Sequence, residues 1–116
     1  MAVTERVICS SAELVEAGDG VRFETEWQGR PASAFAIRHG GRVYAYLNRC
    51  AHVGVELDWQ LGKFFDIEGA HLICSTHGAT YAPDSGLCVH GPCKGDALIA
   101  VPVEETNGKV VRKSHD

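Results

Sequence analysis

The stretches 48-NRCAH-52 and 74-CSTHG-78 decide how this chain is read. Each pairs a cysteine with a nearby histidine, as Cys50-x-His52 and Cys74-x-x-His77. Glycine stands close by in both, Gly54 two residues after His52 and Gly78 directly after His77. Glycine beside a ligand lets backbone N–H groups come close to a metal or a sulfide. Two thiolates and two imidazoles suit tetrahedral zinc or an iron–sulfur centre. A common zinc finger puts both cysteines in one pair and both histidines in the other. Here each pair is mixed. That suits a two-metal centre in which one metal takes both sulfurs and the other both nitrogens, so that each loop grips both.

Working outward, 116 residues are expected to form one domain, 1–116, with room for a real core. Thirteen glycines exceed the usual share of about 7% and imply many turns. The formal charge is −4 and the eleven Lys and Arg residues are scattered, so neither nucleic acid nor an anionic membrane is expected as a partner. No signal peptide is visible at the N-terminus, and the longest apolar run, 97-ALIAVPV-103, is too short to span a bilayer. These features lead us to expect a cytoplasmic protein. Five cysteines there point to metal or redox chemistry rather than a disulfide framework, and the odd number leaves at least one unpaired.

Short β-like runs recur between turn signals. The first is 6-RVICS-10, followed by a polar, Gly-closed stretch expected to be a helical turn or a loop. The run 21-VRFETEW-27 alternates, with Val21, Phe23, Thr25 and Trp27 on one face. A turn at 28-QGR-30 leads into 31-PASAFAIRH-39, and Gly40-Gly41 leads into 42-RVYAYLN-48. These strands predict an antiparallel meander. In the middle, 64-FFDIE-68, 71-HLIC-74, 79-ATYA-82 and 87-LCVH-90 are strand candidates, with a turn at 83-PDSG-86. The end carries 97-ALIAVPVEE-105, a turn at Asn107-Gly108, and a last strand. The expected fold is all-β: an antiparallel β-sandwich or barrel with a smaller β subdomain, about 48–93, inserted for the metal centre.

In the order C-x-H then C-x-x-H, the motif resembles that of the Rieske [2Fe–2S] proteins. Asn48-Arg49 before Cys50 resembles the N-x-C-x-H form of Rieske ferredoxins. Gly54, Gly78 and the Gly91-Pro92 pair also match the family pattern, and the likeness runs from about Val7 to Val111. The resemblance implies one [2Fe–2S] cluster per chain, with Cys50 and Cys74 on one iron and His52 and His77 on the other. It implies supporting roles around the cluster for Gly54, Gly78, Tyr81 and Pro92, with Tyr81 able to bond a ligand sulfur. Neutral imidazoles make the cluster less negative than four thiolates would, so an electron is easier to add. An oxidised iron also eases loss of the outer imidazole proton.

The chain departs from the high-potential members of the family at three positions. Val55 and Thr76 stand where those proteins carry a bridging cysteine pair, and Ala79 stands where they carry a serine that bonds a cluster sulfide. Fewer hydrogen bonds to sulfur lower a cluster's potential. A midpoint in the lower part of the Rieske range of about −150 to +300 mV is therefore expected. The 21 residues between the pairs, 53–73, are a few more than is usual. Within them Trp59, Phe64 and Phe65 are read as packing under the loop, with a partner-contact surface as the sharper alternative. Cys9 reads as a small buried apolar residue. Cys88 and Cys93 read as two thiols, with a disulfide pinning the Pro loop as the alternative. His39 and His115 are expected to be exposed, His71 is set aside as a ligand, and His90 is a candidate neighbour of the cluster.

The resemblance implies an electron carrier that takes one electron from a flavin-dependent reductase and passes it to an oxygenase or another metalloenzyme. It would not be an enzyme in itself. The exposed ring edges of His52 and His77 would be the exit. A small Rieske subunit of a reductase complex and a structural zinc module are the alternatives.

Overall fold

The structure is a computed structural model that describes residues 5–49, 56–58, 62–66, 68–74, 78–91 and 95–113. Among these the chain is built of β-strands and one 3₁₀ turn at Ser11–Glu13. The all-β expectation holds. Nine strands run in order: β1 (Glu5–Ser10), β2 (Val21–Trp27), β3 (Arg30–His39), β4 (Arg42–Leu47), β5 (Leu72–Ile73), β6 (Thr80–Tyr81), β7 (Cys88–His90), β8 (Val103–Thr106) and β9 (Lys109–Lys113). They form three antiparallel three-stranded sheets, β2-β3-β4, β1-β9-β8 and β5-β6-β7.

The meander follows its sequence. β2 and β3 pair from Val21↔Ala36 to Trp27↔Arg30, and β3 and β4 from Ala34↔Leu47 to His39↔Arg42. Both hairpins turn in two residues with positive φ, Gln28 and Gly29 in one and Gly40 and Gly41 in the other. Asn107 and Gly108 repeat this between β8 and β9. Two left-handed residues in succession match the twist of the flanking strands. Trp27 does not share the burial of Thr25; it pairs with Arg30 at the turn end of the hairpin, beside Gln28 and Gly29.

Three strand expectations need correction. β1 is not part of the meander; it pairs with β9, near the other end of the chain. The apolar run 97–105 is not one strand. Its middle lies along β4, where Leu47 N–H donates to Ile99 O and Val101 N–H to Ala45 O, and regular pairing resumes only after Pro102. The stretch 64-FFDIE-68 is not a strand either. Phe65 makes one bridge with Leu72, and the chain then turns on Asp66, whose carboxylate accepts from Ala70 N–H at 3.0 Å. Asp in that role competes with strand pairing for the backbone donors.

One arginine ties the sheets together. The Arg38 guanidinium donates to Glu105 at 3.1 and 2.5 Å, to Leu14 O at 2.7 Å and to Ser11 O at 3.2 Å. This holds the Glu105 carboxyl below its ordinary value of 4.5. Two backbone N–H groups, from Gly41 and Gly40, do the same for Glu16. A lowered folded-state pKa means stability that is present at neutral pH and lost as pH falls below about 4.5. Arg38→Ala is expected to cost about 2 kcal/mol at pH 7 and to flatten the fall of the melting temperature on acidification; a denaturant and pH series measures both.

Two apolar clusters make the core. One gathers Cys9, Leu14, Ala34, Ala36, Leu47 and Val110 between the first two sheets. Burial pushes the Cys9 thiol up to about 11, as expected for a small core residue. The other cluster joins Phe35, Ile37 and Tyr46 of the meander to Leu57, Phe64, Leu72, Cys74, Tyr81 and Cys88. Phe64 stacks on Phe35 with ring centroids 3.9 Å apart. The ring also abuts Gly20, where an added Cβ would lie 2.6 Å from it. Glycine is therefore needed at 20 to admit the Phe64 ring.

Candidate metal centre

Both cysteine–histidine pairs lie just beyond strand ends. β4 ends at Leu47, immediately before 48-NRCAH-52, and β5 ends at Ile73, immediately before Cys74. Cys74 is fully buried, at 0% exposure, in the second apolar cluster. Its N–H donates to Ala79 O and its O accepts from Gly78 N–H, both at 2.8 Å. Gly78 has φ +73, so the tight return from Cys74 into β6 uses its left-handed freedom. Cys50, His52, Gly54, His77 and Pro92 lie outside the described residues, as do Val55, Thr76, Cys93, Trp59 and His115.

The flanks of the first loop are described, and they are fixed. Asn48 and Asp58 are both buried. Asn48 Nδ2 donates to Asp58 Oδ1 at 2.9 Å, Leu57 N–H donates to Asn48 Oδ1 at 2.8 Å, and Gly62 N–H donates to Asp58 Oδ2 at 2.9 Å. Arg22 approaches the same carboxylate at 3.8 Å and also pairs with Glu56. Leu57, at the loop's return, enters the same apolar cluster as Cys74. Both loops are thus mounted on one core. Asn48 stood in the motif, but its partner Asp58 carries no signal in the sequence, being a single acidic residue ten positions on.

A third segment closes against the second loop. A Cβ on Gly91 would lie 2.8 Å from Ala79 Cα, so the Gly91 backbone packs directly on the turn that carries Cys74. Cys88 N–H donates to Asp96 O at 2.8 Å, which shuts the base of the 91–95 loop. Tyr81 is fully buried on β6, paired with Leu72 and Cys88.

The remaining aromatic and histidine expectations are mixed. Phe64 packs as expected, and Phe65 packs half-buried against the same cluster, where it also lines a cleft of about 540 Å³ with Asp66, Glu68 and Ile73. His39 is half-buried rather than exposed, because its ring stacks on Phe65 at 6.0 Å. His71 turns to Asp66, with Nδ1 3.8 Å from the carboxylate. His90 is exposed on β7.

The described residues suit an iron–sulfur cluster: Cys74 offers a buried thiol at the end of β5, and Gly78 and Gly91 ease backbone approach beside it. A Rieske [2Fe–2S] domain model matches residues 4–110. The chain belongs to the Rieske [2Fe–2S] domain family. Its cofactor is one [2Fe–2S] cluster, and its chemistry is one-electron transfer.

Solved structures agree on the fold. The terminal oxygenase of carbazole 1,9a-dioxygenase from Nocardioides aromaticivorans IC177 is 25% identical with a TM-score of 0.74; the match covers 97% of this chain and 30% of that one. The chain thus spans about a third of that oxygenase. The Sphingomonas yanoikuyae B1 ferredoxin is 19% identical with a TM-score of 0.72, covering 97% of this chain and 100% of that one. The ferredoxin of carbazole 1,9a-dioxygenase from N. aromaticivorans IC177 is 21% identical with a TM-score of 0.70, covering 97% and 99%. No curated protein matches the chain by sequence. Among the described residues, no helix is long and apolar enough to cross a membrane.

Proposed function

We propose that the chain is a one-electron carrier, not an enzyme in itself, that passes electrons from a flavin-dependent reductase to an oxygenase or another metalloenzyme. The observation that carries this reading is the mounting of both loops on one core: Cys74 buried at the end of β5, and Leu57 anchoring the return of the first loop in the same cluster. The match to two ferredoxins over 99–100% of their length supports it. One of these and the oxygenase neighbour serve the same dioxygenase, which is the kind of pairing proposed here.

In this reading Cys50 and Cys74 hold one iron and His52 and His77 the other. Residues 48–93 form the subdomain that carries them. When bound, the cluster supplies one reversible electron. Cys74 fixes its sulfur from a buried position, and the imidazoles of His52 and His77 carry the exit to the partner. Gly54, Gly78, Tyr81 and Pro92 shape the surroundings. Ala79 is buried with only a methyl to present, so no side-chain hydroxyl from that position bonds a sulfide.

Protein-film voltammetry tests the potential. The expected midpoint lies in the lower part of the range from about −150 to +300 mV, and a value above about +100 mV contradicts the account. Stopped-flow mixing of reduced protein with an oxidised Rieske-type oxygenase tests the role, with one electron delivered per chain as the expected result.

A further inference from the structure

The first loop is held by a polar lock whose donors and acceptors match one to one. Asn48 precedes the loop and Asp58 follows it. The Asp58 carboxylate side chain is 0% exposed. Such a group is costly to bury unless it is hydrogen-bonded. Here one oxygen accepts from Asn48 Nδ2 and the other from Gly62 N–H, with Arg22 nearby. Asn48 Oδ1 in turn accepts from Leu57 N–H, and Asn48 N–H donates to Ser33 O at 2.8 Å. The residue before the loop is therefore bonded to β3 behind it and to residues 57 and 58 across its mouth.

We propose that Asn48 and Asp58 are positioning residues that hold the two ends of the first cluster loop together and so set how long the cluster is retained. This rests on the assignment of Cys50 and His52 as ligands. The pair has a direction that makes it testable. With Asp58→Asn alone, one of two donors, Asn48 Nδ2 or Gly62 N–H, faces an NH₂ group. With Asn48→Asp alone, two carboxylates face each other. With both exchanged, the hydrogen bonds among 48, 57, 58 and 62 can all be remade, and only the longer Arg22 approach to position 58 is lost: Leu57 N–H and the Asn Nδ2 now at 58 donate to the carboxylate at 48, and Gly62 N–H donates to the amide oxygen at 58.

The test uses purified holoprotein: wild type, D58N, N48D, the double variant N48D/D58N, and R38A as a destabilised control far from the loop. Bleaching of the visible absorption by an iron chelator gives the release rate. Reduced-state EPR gives the cluster's signature, and thermal unfolding gives stability. The single variants are expected to release iron at least about tenfold faster and to show altered EPR line shapes. The double variant should return to within about twofold of wild type, and R38A should lose stability without faster release. Single variants that release at the wild-type rate, or a double variant no slower than the worse single, overturn the proposal. If a single variant does not fold, the double variant decides alone: release within about twofold of wild type supports the lock, and faster release overturns it. If wild-type protein with ¹⁵N-histidine shows no nitrogen coupling, the ligand assignment falls and the proposal with it; coupling with unchanged release rates removes the lock alone.

Discussion

Changing His52 and His77 together to cysteine is expected to drop the midpoint potential by roughly 250 mV or more. The reasoning is electrostatic. Four thiolates give a cluster two more negative charges than two thiolates and two neutral imidazoles, so each added electron meets more repulsion. Plant-type clusters with four cysteines sit near −400 mV, against about −150 mV at the bottom of the Rieske range. The protein fold is expected to survive, because both changed positions come after the ends of β4 and β5 in the chain. Voltammetry of wild type and variant under one buffer reads the shift directly. A variant that retains a [2Fe–2S] cluster at the wild-type potential would show that these histidines are not ligands.

The largest effect on stability is expected at Phe64. Its ring is fully buried, stacked on Phe35 and close to Gly20, and its carbonyl accepts from Ile73 N–H at 2.8 Å. It thereby joins the meander to the strand that delivers Cys74. Phe64→Ala is expected to cost about 3–5 kcal/mol, through lost burial and the cavity left behind. Marginal stability of about 5–15 kcal/mol makes that a large share of the total. Phe64→Leu, which refills most of the space, should cost less than about 1.5 kcal/mol. Chemical denaturation of both variants separates packing from hydrogen bonding, since the backbone bond to Ile73 is common to them. A loss for Phe64→Ala no larger than the small one expected for Phe64→Leu would mean that ring packing is not what holds the two parts together.

What the sequence shows and what it hides have physical causes. Gly40-Gly41 and Asn107-Gly108 announce their hairpins because few residues tolerate two left-handed positions in a row. The alternation in 21–27 announces β2 because one face is drawn toward the core. By contrast, the pairing of β1 with β9 joins residues about a hundred positions apart, and no local pattern encodes it. The apolar runs at 64–68 and 97–105 look like strands, yet a side chain at Asp66 and a ring at Pro102 take the backbone out of regular pairing. At the metal centre, the Cys and His spacing is legible because few residue types can bind iron or zinc. Their support is not. Asp58 reads as an ordinary acidic residue until the fold brings it against Asn48, and Gly91 shows its use only when Ala79 is packed on it.

The central claim is that two cysteines and two histidines, one of each from each loop, hold two irons and two sulfides. Reduced-state EPR of the purified protein, with ¹⁵N-labelled histidine and iron and sulfide assays on the same sample, tests it most directly. The account predicts two irons and two sulfides per chain, an average g below that of all-cysteine clusters, and hyperfine coupling to two histidine nitrogens. A colourless protein holding one zinc, or a brown protein with an all-cysteine signal and no nitrogen coupling, would contradict it.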